Sequence, residues 1–144
     1  GWGVLQPAGG GGVTNFVTYQ GAAARDGERF AEANTNPDGG SVYQDVAVNM
    51  SAGSSATFSI WARVAPGGAV SGQKVNLCLW PMVAPLKAAC QEKVLTSEWQ
   101  QLQATATMPS NVTQLRAQMY MAGRGKSFMA ASTTQKFFCS PGFR

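Results

Sequence analysis

The sequence predicts an all-β fold, a two-sheet antiparallel β-sandwich, on three observations. Apolar and polar residues alternate in short runs. Gly, Pro, Asn and Ser break those runs at regular intervals. No window holds a 3.6-residue apolar period over three turns, and Ala22–Arg25 offers at most one helical turn. With 144 residues the chain has the size of one domain with one substantial core.

Taken in order, the predicted strands are Val13–Gln20, Glu28–Asn34, Ser41–Val48, Ala56–Ala65, Gln73–Pro81, Ala89–Leu95, Trp99–Met108, Val112–Met121 and Lys126–Thr134. The separators between them include Asn36-Pro37-Asp38-Gly39-Gly40, Ser51-Ala52-Gly53-Ser54, Pro66-Gly67-Gly68, Pro109-Ser110-Asn111 and Gly123-Arg124-Gly125. Gly9–Gly12 reads as a loop; no Lys-Ser/Thr and no helix follows it to make a phosphate cradle. Residues 1–135 read as a single domain and 136–144 as a C-terminal tail or linker.

Side chains alternate across a strand, so register sorts core from surface. Phe58, Ile60, Ala62 and Val64 form one inward set; Val75, Leu77 and Leu79 a second; Leu102, Ala104 and Ala106 a third; Leu115, Ala117, Met119 and Met121 a fourth. Val42, Gln44, Val46 and Val48 oppose Tyr43, Asp45 and Ala47. The outward sets hold Trp61 and Arg63, Asn76 and Trp80, Trp99 and Gln101, and Gln114, Arg116, Gln118 and Tyr120. Flat apolar rings among neutral donors and acceptors suit a sugar, which offers ring faces to stack on and hydroxyls to bond.

Composition limits the other functions. Charged residues make up 12% of the chain, against roughly 25% in soluble proteins generally. The net charge is +4, yet Lys and Arg are scattered singly, which argues against nucleic acid. No apolar stretch approaches the roughly 20 residues of a membrane span. Nothing reads as a signal peptide, and the start at Gly1-Trp2-Gly3 reads as that of a mature or excised domain. Without histidine a Ser-His-Asp triad is impossible. The seven carboxylates are Asp26, Glu28, Glu32, Asp38, Asp45, Glu92 and Glu98. A glycosidase needs two facing each other across a sugar at about 5–10 Å; Glu28 and Glu32 share one strand face but lie in an edge region, and no second pair is evident. The chain is therefore expected not to be an enzyme. The three cysteines, Cys78, Cys90 and Cys139, form no C-x-x-C motif and no zinc set. A disulfide among them would place the chain in an oxidising compartment. Asn49-Met50-Ser51 and Asn111-Val112-Thr113 match the N-glycosylation pattern.

Ser41-Val42-Tyr43-Gln44-Asp45-Val46 leads through a small-residue turn to Thr57-Phe58-Ser59-Ile60-Trp61-Ala62-Arg63-Val64. Ser97-Glu98-Trp99-Gln100-Gln101-Leu102 follows, then a Pro-Ser-Asn turn and Gln114-Leu115-Arg116-Ala117-Gln118-Met119-Tyr120. This order resembles the family 4/9-type carbohydrate-binding modules and related galactose-binding-like jelly rolls, in their actinobacterial extracellular versions. The resemblance spans roughly residues 1–134. It implies a jelly roll with Glu28–Asn34, Lys126–Thr134, Ala56–Ala65 and Trp99–Met108 in one sheet. Ser41–Val48, Val112–Met121, Gln73–Pro81 and Ala89–Leu95 would form the other. That second sheet gathers Tyr43, Asn76, Trp80, Gln114, Arg116, Gln118 and Tyr120 on one outward face, the expected ligand-binding set. Tyr43 and Asp45 would lie at a sheet edge, and Trp80 would either stack on ligand or anchor the hairpin ahead of Pro81. Trp61 and Trp99 fall in the other sheet, with a packing role. With the hairpin turn centred near Ala84, Cys78 opposes Cys90, and their disulfide leaves Cys139 unpaired.

The resemblance implies a secreted, extracellular, non-catalytic module, a monomer attached to a larger protein, that binds a polysaccharide or oligosaccharide without cofactor, nucleic acid or membrane insertion. The rival expectation is a structural or protein-interaction jelly roll, a spacer or adhesin domain without a sugar site. The family's last strand commonly carries aspartates that help hold a structural calcium. Here Ser127-Phe128-Met129-Ala130-Ala131-Ser132 has no carboxylate, which argues against that ion.

Overall fold

A computed structural model describes the backbone of residues 3–5, 13–20, 29–35, 40–69, 74–122, 125–131 and 138–140, and the side-chain burial of 40–64 and 74–121. Its strands are β1 (Gly3–Leu5), β2 (Val13–Gln20), β3 (Arg29–Thr35), β4 (Ser41–Met50), β5 (Ser55–Ala69), β6 (Lys74–Pro81), β7 (Ala89–Val94), β8 (Gln100–Thr107), β9 (Val112–Ala122), β10 (Gly125–Ala131) and β11 (Phe138–Ser140). They form an all-β, two-sheet antiparallel jelly roll. A five-stranded sheet runs β1-β4-β9-β6-β7, and a six-stranded sheet runs β11-β5-β10-β3-β2, with β8 pairing the other side of β5. Among the described strands, both expected neighbour orders, β4-β9-β6-β7 and β3-β10-β5-β8, are present.

The inward sets meet between the sheets. Val75, Leu77, Leu79, Leu115, Ala117, Met119 and Met121 are buried from one side, and Phe58, Ile60, Ala62, Val64, Leu102, Ala104 and Ala106 from the other. Two-residue alternation is the cause, because it delivers every second side chain of each strand to the same layer. On β4 the burial is weaker: Val42 is fully buried, while Gln44, Val46 and Val48 are only half-buried.

Three features depart from the sequence expectation. First, β5 runs through Pro66-Gly67-Gly68, expected as a separator. Its pairing with β8 ends at Ala62, and its pairing with β10 shifts register between Gly125 and Ser127. Pro, which has no N–H to donate, is tolerated at such an irregular, half-paired stretch. Second, β1 adds to β4 through Gly3, Val4 and Leu5. Third, Phe138–Ser140, inside the segment expected as a tail, pairs with Ser55–Thr57 of β5. β1 and β11 are three residues each, too short for alternation to be visible.

The turn between β4 and β5 is tied to the one between β8 and β9. The Gly53 N–H donates to the Met108 carbonyl at 2.8 Å, and the Met108 N–H donates to the Ser54 carbonyl at 2.8 Å. The Ser54 hydroxyl donates to the Ser51 carbonyl at 2.6 Å, and the Ala52 N–H donates to Asn111 Oδ1 at 3.3 Å. Gly53 has φ +81°, the left-handed region that glycine enters freely.

β7 and β8, edge strands of opposite sheets, meet along one side. There the Gln103 N–H of β8 donates to Gln91 Oε1 of β7 at 2.7 Å. Gln100 holds the connecting loop, accepting from the Thr96 N–H at 2.7 Å and donating to the Val94 carbonyl at 3.2 Å. Within the β6–β7 hairpin Cys78 stands directly opposite Cys90 and the two form a disulfide, with Cα atoms 4.1 Å apart. The connection holds a cis Ala84–Pro85 bond.

Two stability measurements follow. Nothing lies within 4 Å of a Cβ added at Gly53, so Gly53→Ala meets only the backbone strain of its positive φ. It is expected to cost about 1 kcal/mol in urea unfolding. The disulfide closes a hairpin of sequence separation 12. Replacing both cysteines with serine is expected to cost about 3 kcal/mol in the same measurement.

Candidate functional site

The outward face of the five-stranded sheet is set by three registers centred on β9. Reading from β4 through β9 to β6, one row contains Ser41, Tyr120 and Asn76, the next Tyr43, Gln118 and Cys78, and the third Asp45, Arg116 and Trp80. β7 extends the first row with Glu92 and the second with Cys90. Gln114 follows opposite Ala47. All the candidate binding residues thus lie on one face, because each has the parity opposite to the buried Leu115, Ala117 and Met119.

Charge on this face is paired. The Arg116 guanidinium grips Asp45 with two parallel bonds: Nε donates to Oδ1 at 2.7 Å and an Nη to Oδ2 at 2.9 Å. Such forked, charge-assisted pairs fix geometry as well as adding attraction. The guanidinium also lies over the Tyr43 ring, 4.4 Å from its centroid. Hydrogen bonding from Arg116 holds the Asp45 carboxyl below the usual carboxylate range; burial opposes this in part, and the Arg116 charge and a Gln114 hydrogen bond add smaller downward contributions. The same bond to Asp45 raises the Arg116 pKa. Along the sheet, Lys74 Nζ stands 3.4 Å from Glu92 Oε1 in an exposed pair.

The neutral candidates differ in availability. Among the described residues of the face, Tyr120 is the exposed aromatic, at 36%. Asn76, Gln114 and Trp80 are half-buried. The Trp80 Nε1–H is buried without a hydrogen-bond partner among the described residues, so what Trp80 can present outward is ring surface. Gln118 is buried and donates from Nε2 to the Ser41 hydroxyl at 2.7 Å, which makes it a strut beneath the face. β1 pairs with β4 as far as Tyr43, so β4 is not the edge strand there, and the described pairing stops short of Asp45. On the other sheet Trp61 and Trp99 are half-buried, and the Arg63 guanidinium lies 5.0 Å from the centroid of the Trp99 ring.

Sequence reasoning put Arg116 among the ligand contacts and missed its bond to Asp45. It also missed Ser41 as the partner of Gln118. Outward parity on strands β4 and β9 was the available signal, but these strands are about 70 residues apart and no short turn fixes their register. Among the described residues no group of three or more His, Cys, Asp or Glu could hold a metal ion. The strand expected to bear calcium-type aspartates lies outside the residues whose side chains are described.

The fold is that of the carbohydrate-binding-module β-sandwiches, and the likeness extends over several module families instead of singling out the 4/9 type. A solved family 4 carbohydrate-binding module matches with 19% identity over 97% of this chain and 86% of that one, at a TM-score of 0.60. The xylan-binding domain CBM22-1 of Paenibacillus barcinonensis Xyn10C matches with 11% identity over 91% of this chain and 82% of that one, at a TM-score of 0.63. The enzymatically active domain of tailspike protein 4 from bacteriophage CBA120 matches with 9% identity over 89% of this chain, at a TM-score of 0.65; the match spans only 18% of that chain. No protein-family model and no curated protein matches the sequence.

The Asp45–Arg116 pair makes a pH prediction. The folded pKa of Asp45 lies below its unfolded value of about 3.9, so the pair contributes fully above that value. Its contribution is lost as the pH falls through the lowered folded pKa. Asp45 is partly exposed, and solvent screening keeps the contribution under about 1 kcal/mol. Asp45→Asn is therefore expected to lower the urea midpoint at pH 6, by a margin that narrows as the pH falls below the unfolded value.

Proposed function

We propose that this chain is a non-catalytic carbohydrate-binding module that holds a polysaccharide or oligosaccharide against the outward face of the β1-β4-β9-β6-β7 sheet. The observation that carries the reading is the convergence of Tyr120, Trp80, Asn76, Gln114 and Arg116 on one face of β9 and β6. Tyr120 and Trp80 would stack on sugar rings, and Asn76, Gln114 and the free edge of Arg116 would bond hydroxyls. Tyr43 would back Arg116, and Gln118 would brace β4 through Ser41. The likeness to modules of families 4 and 22 supports this reading through the fold. So does the sequence resemblance to actinobacterial family 4/9-type modules. The Cys78–Cys90 disulfide suits an extracellular location. In that setting the module would serve a larger secreted protein by keeping it on its polymer.

The test is retention on insoluble plant, fungal and bacterial wall polysaccharides. Trp80→Ala and Tyr120→Ala are each expected to weaken binding about tenfold or more, the scale of one lost ring contact. Absence of binding to every polymer would favour the rival, a structural or protein-interaction jelly roll.

A further inference from the structure

We infer that Asp45 sets the charge of the glycan this face accepts: by cancelling Arg116 and holding its guanidinium against Tyr43, it suits the face to neutral glycans and excludes acidic ones. The inference rests on the glycan-binding reading above and adds a specificity residue to it.

On the outward parity of the described β4, β6, β7 and β9, the charged side chains are Asp45, Lys74, Glu92 and Arg116. Asp45 pairs with Arg116 and Lys74 with Glu92, so each cation has an anion beside it. An arginine that recognises a carboxylate does so through a free pair of parallel N–H groups. Here one of the two such pairs on the guanidinium, Nε with an Nη, is already committed to Asp45 at 2.7 and 2.9 Å, which leaves only the end-on pair of the two Nη groups. A ligand carboxylate approaching Arg116 would also meet the Asp45 charge, which acts as a built-in repulsion. A hydroxyl meets neither obstacle: it can accept from the remaining guanidinium N–H groups and donate to the outer lone pairs of Asp45. Tyr43 enforces the arrangement from below, because its ring lies under the guanidinium at 4.4 Å. The net charge of +4 would by itself draw polyanions to the chain. Discrimination against them must therefore come from the face itself.

The experiment uses cellulose, xylan, mannan and β-1,3-glucan, each beside its carboxymethylated derivative, at about 20 mM and about 500 mM NaCl, which span strong and weak screening. The parent protein is expected to bind a neutral polymer with an affinity that changes less than about twofold between the two salts. It is expected to bind the carboxymethylated form about tenfold or more weakly. Asp45→Asn, which keeps the side-chain shape and removes the charge, is expected to gain about tenfold for that carboxymethylated form at low salt only. Adding Arg116→Gln should abolish the gain. Preference of the parent protein for a carboxymethylated polymer would overturn the inference without need of any variant. So would Asp45→Asn that is folded by its unfolding midpoint and gains nothing for the carboxymethylated form. Failure of the parent protein to bind any polymer would overturn the glycan-binding reading and this inference together, a pattern distinct from the other two.

Discussion

The fold and the face both depend on the register of β9. This strand lies between β4 and β6, and its residues alternate between two surroundings with little tolerance. Leu115, Ala117, Met119 and Met121 are buried between the sheets, while Gln114, Arg116, Gln118 and Tyr120 look outward. A slip of one residue would drive a guanidinium into the core and expose four apolar side chains, a cost of several kcal/mol for the buried charge alone. The hydrophobic layer therefore selects the register. The register in turn sets Arg116 against Asp45 and Trp80, so the site geometry is a by-product of core packing.

That dependence explains what could be read from the chain. Period-two alternation identified β2, β4 and β6 to β9 within a few residues, and it sorted the four inward sets correctly. The Cys78–Cys90 pairing was legible because a hairpin is local and its centre near Ala84 fixes which residues oppose. Strand order came with the jelly-roll resemblance. What stayed hidden was either too short to alternate, as with β1 and β11, or non-local, as with the Asp45–Arg116 bond. The extension of β5 through Pro66-Gly67-Gly68 was hidden for a third reason: breaker residues are tolerated wherever a strand is only half-paired, and pairing is not written locally.

The face also differs in kind from the one that a count of residue types describes. Arg116 and Gln118 read as free recognition groups in the sequence. In the fold one is gripped by a carboxylate and the other is buried under a serine hydroxyl. Polar residues placed side by side on a sheet satisfy each other first, because each bond between neighbours fixes side chains that would otherwise be ordered at the ligand's expense. The result is a surface on which Arg116 and Gln118 are committed to neighbours and Tyr120 is exposed.

The contact between Gln91 and the Gln103 backbone has a consequence of another kind. β7 and β8 are unprotected margins, the places where a sandwich ordinarily risks recruiting a strand from a neighbouring molecule. Here a side chain from one margin occupies a main-chain donor of the other, and the exposed Glu92 and Lys74 add charge along the rim. A neighbouring molecule's strand would find one main-chain donor fewer along this flank.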